Sequence, residues 1–176
     1  MIIDTIDGAT DAAAGGPSPA SDEHRRISFE VPGDAQPQGS HKVYPVRGRF
    51  VVAHDNPRLR PWRDTVAWHA RAEMAGRPPM AGPVAVELTF RYQRPKGHFG
   101  KRGLRPSAPT DHVVKPDIDR LARAALDALT QAGVWRDDAQ VVCVVALKRY
   151  ADRSGATVVV ERAETAPGWA VLRRVN

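Results

Sequence analysis

Apolar and polar residues alternate along this chain in two rhythms, one of period two and one of period 3.6, and the places where they change mark its elements. Ile27-Ser28-Phe29-Glu30-Val31 alternates as a half-buried strand does, and Pro32-Gly33 stops it. A basic, glycine-containing hairpin region over 34–49 leads to a short strand, Phe50-Val51-Val52. Asn56-Pro57 then opens a helix over about 58–75. Leu59, Trp62, Val66 and Ala70 recur there at helical spacing, with Trp68 on a flank and Gly76 as the stop. From Pro83 to Tyr92, Val84, Val86, Leu88 and Phe90 alternate with Glu87, Thr89 and Arg91, which predicts another half-buried strand. Residues 93–114 read as a long linker. A loop of that length is usually functional or disordered, and its cations suggest ordering when phosphates neutralise them. The second helix starts at Pro116 or Asp117 and runs to about Gln131. Its stripe of Ile118, Leu121, Ala122, Ala125, Leu126 and Leu129 places Ile118 on the buried face. Gly133 ends it, and strands Gln140–Tyr150 and Thr157–Arg162 follow, joined by a turn at Asp152–Gly155. The order β-β-α-β-α-β-β predicts an α+β fold, a small mixed sheet with two main helices, without internal repeat.

Length and composition narrow the picture. A chain of 176 residues suits one domain. Residues 1–24 carry five acidic residues before the first basic one, Arg25, and are rich in Ala, Gly, Pro and Ser, which predicts a disordered acidic tail. The folded domain is expected over 25–165, with a C-terminal tail over 166–176. From Arg25 onward 26 basic residues face 15 acidic ones, a balance of +11 that favours a polyanionic partner. The single cysteine, Cys143, excludes an intrachain disulfide, and its apolar neighbours predict a buried thiol. No apolar run approaches the ~20 residues that span a bilayer, and Asp4 and Asp7 interrupt any leader-like start. A soluble, cytoplasmic protein is expected.

The candidate chemistry lies in carboxylates. Asp117 and Asp119 open the second helix, and Asp137-Asp138 follow its end. Two mild readings stand beside a functional one. Asp117 or Asp119 could cap the helix or complement its dipole. Asp119, Arg123 and Asp127, at i, i+4 and i+8, could form an ion-pair ladder worth a few tenths of a kcal/mol per pair, roughly. If a neighbouring strand or a partner chain brings Asp138 toward the helix start, however, Asp117, Asp119 and Asp138 become hard oxygen ligands suited to Mg²⁺. His41, His54, His69, His98 and His112 show no metal-ligand spacing and are expected at surface or loop positions, and Trp62 and Trp68 in core or dimer packing.

The segment Lys115-Pro116-Asp117-Ile118-Asp119-Arg120-Leu121-Ala122-Arg123, then Leu126-Asp127-Ala128-Leu129, Trp135-Arg136-Asp137-Asp138-Ala139-Gln140 and Lys148-Arg149-Tyr150 closely resembles the RusA family of Holliday-junction resolvases. A weaker resemblance covers Ile27–Gly39. The resemblance implies a homodimeric α+β nuclease, often of phage or prophage origin, that makes paired nicks across branched DNA with Mg²⁺ or Mn²⁺. It implies that Asp117, Asp119 and Asp138 are the essential, metal-binding carboxylates. Arg123 stands where well-known members carry a catalytically important lysine, keeping the charge but a poor proton donor. Arg120 replaces an asparagine of some members. Asp137 and Asp127 are expected in supporting roles. Lys96, Lys101, Arg102, Arg105, Lys115 and Arg120 are the expected DNA contacts, with Phe99 a candidate wedge. The rival readings are a nuclease for flaps, replication intermediates or RNA, a non-catalytic DNA-binding protein, and a phage packaging or structural factor.

Overall fold

The computed structural model describes residues 26–39, 41–54 and 56–164, and both predicted tails, 1–24 and 166–176, lie outside the described residues. In chain order the elements are β1 (Arg26–Pro32), β2 (His41–Val46), β3 (Arg49–His54), α1 (Leu59–Met74), β4 (Val84–Gln93), β5 (Phe99–Gly100), β6 (Gly103–Leu104), α2 (Ile118–Ala132), β7 (Val141–Ala151) and β8 (Gly155–Arg162). Four strands form one mixed sheet in the order β1-β8-β4-β7, in which only β4 and β7 run parallel. Parallel neighbours need a crossover, and the chain supplies it with the 94–117 segment and α2.

The strand alternation becomes two different sheet faces. Ile27, Phe29 and Val31 of β1, Val84, Val86, Leu88 and Phe90 of β4, and Val158 and Val160 of β8 are buried in one core with Trp62 and Val66 of α1, Leu121 and Leu129 of α2, and Trp135. The opposite face is polar where β1, β8 and β4 meet. There the Arg91 guanidinium pairs with Glu30, and the Thr157 hydroxyl donates to Glu30 Oε1 at 2.6 Å. The two helices pack on each other and bury alanines, Ala67 and Ala70 from α1 and Ala124, Ala125 and Ala128 from α2. Small side chains let helix axes approach closely.

Several expectations change. Ile118 is 38% exposed, because the buried face of α2 centres on Leu121, Ala125 and Ala128 and Ile118 lines an open depression beside the edge strand β7. Trp68 is 64% exposed on α1, so it is not a core residue, whereas Trp62 is buried. Cys143 is only partly buried, since it lies on the edge strand β7 and is covered by Ala85 and Ala163 from one side. His112 lies in a loop, as expected, but is buried there. The 93–114 segment is not a bare linker. A 3-10 turn at Lys96–His98 leads into the small β5–β6 hairpin, and residues 110–112 then run along the outer edge of β7. Gly133 ends α2 in the left-handed conformation (φ +78°), whereas α1 reaches that conformation one residue before Gly76, at Ala75.

Candidate active site

The first turn of α2 is built to leave its carboxylates available. Asp117 is the N-cap residue in extended conformation, yet its side chain makes no capping hydrogen bond. The capping reading therefore fails for Asp117. Its carboxylate lies 3.8 Å from Arg120 Nε instead, half exposed. Asp119 follows in the first turn, where the positive end of the helix dipole favours negative charge.

Two neighbouring segments hold this turn in place. From β7, Lys148 Nζ donates to Val114 O at 2.8 Å and to Pro116 O at 2.6 Å, tying down the chain that enters α2. From the other side, Gln38 N donates to Arg120 O at 3.0 Å. Asp117 consequently borders two depressions. One, of about 490 Å³, is lined by Gln36, Pro37, Asn56, Lys115 and Arg120. The other, of about 570 Å³, is lined by Asp111, His112, Asp119, Lys148 and Arg149.

A third groove, of about 300 Å³, runs along α2 beside β7 and brings Asp119, Arg123, Asp127 and Asp138 to one surface. The ion-pair ladder is not formed there. Asp127 pairs with Arg63 of α1 at 3.4 Å, and among the described residues no ion pair joins Arg123 to Asp119 or Asp127. Asp137 serves the turn, its Oδ1 accepting from Ala139 N at 2.8 Å, while Gln140 Oε1 accepts from Asp137 N at 3.2 Å. Asp138 is held at the far end of α2, accepting from the Thr130 hydroxyl and from Trp135 Nε1 at 3.2 Å. Thr130 lies eleven residues beyond Asp119, a rise of about 16 Å along the helix. Within one chain Asp117 and Asp119 are therefore close and Asp138 is remote. Among the described residues no three acidic, histidine or cysteine side chains gather closely enough to hold a metal ion.

The basic candidates divide by location. Lys115 and Arg120 border the Asp117 depression. Lys96, Lys101 and Arg102 are exposed around the β5–β6 hairpin, while Arg105 Nε donates to Phe99 O at 3.2 Å and fastens it. Phe99 is exposed at that hairpin. Sequence reasoning assigns Lys148 no role, although it lies within the Lys148-Arg149-Tyr150 motif. Its hydrogen bonds to Val114 and Pro116, distant in sequence, are what reveal it. His112 likewise carries no sequence signal. Its ring stacks on Tyr92 at 4.2 Å and meets the edge of Tyr150 at 4.8 Å. Burial, and secondarily Lys148, hold its imidazole below the ordinary histidine range.

These features define a two-layer α+β protein with an acidic helix start and an acidic groove, set in a basic chain. The chain belongs to the RusA endodeoxyribonuclease family, whose model matches residues 32–161. Among curated proteins it is similar to the crossover junction endodeoxyribonuclease RusA of Escherichia coli and of Shigella sonnei, 51% identical to each over 39 residues. That stretch is 22% of this chain and 32% of each relative, so the match spans about a third of their length.

Proposed function

We propose that the protein is a metal-dependent endodeoxyribonuclease that resolves four-way junctions and other branched DNA by paired nicks, acting as a two-fold homodimer in recombination or repair of phage or prophage type, in the bacterial cytoplasm. The observation that carries this reading is the carboxylate pair Asp117 and Asp119 at the start of α2, with Asp119 at one end of a groove whose far end holds Asp138. One chain alone does not provide a three-carboxylate metal site among its described residues. A two-fold partner lying antiparallel along that groove brings its own Asp138 to the Asp117–Asp119 pair, and repeats the arrangement at the other end.

The surface beside the groove suits such a partner. β7 is an edge strand; Val144 on it lines the groove and is exposed, as is Ile118 at the start of α2, while Val145 and Leu147 are exposed on the strand's other face. Exposed apolar patches of this kind mark association surfaces. The oxygen donors fit Mg²⁺ or Mn²⁺, which supplies Lewis acidity at the phosphodiester and a more acidic water. The chain's own residues bind and orient: Arg123 offers a planar cation toward the scissile phosphate, and Lys115 and Arg120 hold the flanking backbone. A two-fold dimer presents one site to each of two symmetry-related strands of a junction.

Cleavage of a synthetic four-way junction in Mg²⁺, set beside linear duplex, flap DNA and an EDTA control, tests the reading. Symmetric nicks confined to the junction are expected, and equal cutting of plain duplex would overturn the junction assignment. Asp117→Asn, Asp119→Asn and Asp138→Asn are each expected to lower cleavage at least about a hundredfold without loss of binding. Mixing Asp119→Asn chains with Asp138→Asn chains is more pointed. A site shared between two copies restores one nick per mixed dimer, whereas sites complete within each chain stay dead.

A further inference from the structure

The β2–β3 hairpin is attached to the site and forms a sheet of its own. Among the described residues it pairs with no strand of the four-stranded sheet and touches other elements only marginally. Its register is well defined, from His41 opposite His54 to Val46 opposite Arg49. The turn is closed by Arg47 and Gly48, both at positive φ (+47° and +76°), the two-residue geometry whose twist matches paired strands. An isolated two-stranded hairpin is marginally stable in water, so this one is expected to gain from something that lies against it.

Its feet stand beside the catalytic candidates. Gln38 is bonded to Arg120 O, and Asn56 Nδ2 donates to Gln36 Oε1 at 3.2 Å. Gln36, Pro37 and Asn56 line the same depression as Asp117. Its charge points to one class of partner. Residues 35–54 contain Lys42, Arg47 and Arg49 and no acidic residue. Near the tip an apolar cross-strand pair, Pro45 opposite Phe50, is exposed, with Phe50 79% exposed next to Arg49. Cations flanking an exposed aromatic are the combination that grips phosphates while an apolar wedge enters a base step.

We infer that the β2–β3 hairpin is a DNA-gripping arm, which lies in a groove of the duplex flanking the cleavage point and presses Arg47, Arg49 and Phe50 into it. The inference rests on the DNA-cleaving reading above and adds the element that grips the flanking duplex. A second copy of this basic chain is the less favourable occupant, because like charges repel there. A six-residue strand spans about 20 Å, so the tip reaches up to about six base pairs from the phosphate at Asp117, at about 3.4 Å per pair.

The test uses the full chain with Arg47→Ala/Arg49→Ala, in EDTA, on both a four-way junction and a linear duplex. Fluorescence anisotropy from about 50 to 200 mM salt is expected to show the slope of log affinity against log salt reduced by about two units on both substrates. These side chains are exposed, so folding, read by circular dichroism, stays unchanged. An unchanged slope in the variant overturns the arm alone. A wild-type protein that binds no DNA overturns the underlying reading as well. Independently, Phe50→p-benzoylphenylalanine is expected to photo-crosslink to duplex about six base pairs from the cut, the span set by the strand's rise. Cross-links only to a second polypeptide, or none to DNA, overturn the arm and leave junction cleavage as a separate question.

Discussion

Arg123 stands within reach of two aspartates on its own helix, and among the described residues it is joined to neither. Asp127 is engaged by Arg63 across the helix–helix interface, at 3.4 Å. A cation left in an acidic groove is available for a phosphate, whereas a cation in a ladder would add only a few tenths of a kcal/mol, roughly, to the helix. Arg123→Ala is therefore expected to lower junction cleavage by about a hundredfold or more, the scale of losing one electrostatic stabiliser, with little change in thermal midpoint. Arg123→Lys is expected to stay within about tenfold of wild type, because the charge is kept and only the bidentate geometry is lost. Normal turnover by the alanine variant would reduce Arg123 to a surface charge. The Asp117–Asp119 spacing was legible because it is local. The Arg63–Asp127 pair was not, since it joins residues 64 apart. Ile118 misled for a related reason: periodicity assigns a face along the whole helix, while Ile118 borders an open depression beside the edge strand β7.

At the scale of elements, the 110–112 segment acts as a strap. His112 N donates to Lys148 O at 3.1 Å and Tyr150 N donates to Thr110 O at 2.9 Å, closing the outer edge of β7. The His112 ring contacts Tyr92 and Tyr150, with Lys148 nearby, and His98 and Arg94 also contact the Tyr150 ring. Its pKa is lowered from 6.5, first by burial and then by Lys148. The unfolded chain thus takes up a proton as pH falls below 6.5 while the folded chain resists it, so the strap is stable above that pH and weakens in acid. Hydrogen exchange at Tyr150, corrected for intrinsic rate, is expected to be faster at about pH 5.5 than at about pH 7.5, and His112→Phe is expected to remove the difference. Equal pH sensitivity in that variant would assign the effect to other groups. The strap and the β5–β6 hairpin were invisible in the sequence because strands of two residues have no periodicity to detect. Replacing Lys96, Lys101, Arg102 and Arg105 together with alanine is expected to flatten the salt dependence of junction binding, by about one unit for each phosphate no longer neutralised. Because Arg105 also fastens Phe99, the fourfold variant is expected to lose order at that hairpin, which proteolysis at 96–105 would report.

For the whole molecule, element types and their order were readable, but the arrangement of strands was not. β7 and β8 are separated by three residues and look in the sequence like successive strands of a hairpin. In the sheet β4 lies between them, and the connecting turn passes over its end. Gln93 N donates to Ser154 Oγ at 3.1 Å and Arg94 N to Ala151 O at 3.1 Å. Nothing in local pattern announces such a hop, because it depends on which strand has already claimed which edge. Its consequence concerns time rather than geometry. Among the described strands, the last to leave the ribosome is the one that joins β1 to β4, so this sheet cannot close until residues up to Arg162 have emerged. Pairings between residues this far apart in sequence also slow folding. A chain ended at Ala151 is expected to be unfolded by circular dichroism and degraded in cells, while one ended after Glu164 folds. During synthesis the facing edges of β1 and β4 stay unpaired until β8 arrives, and that interval, rather than the stability of the finished sheet, sets how readily the chain misassembles.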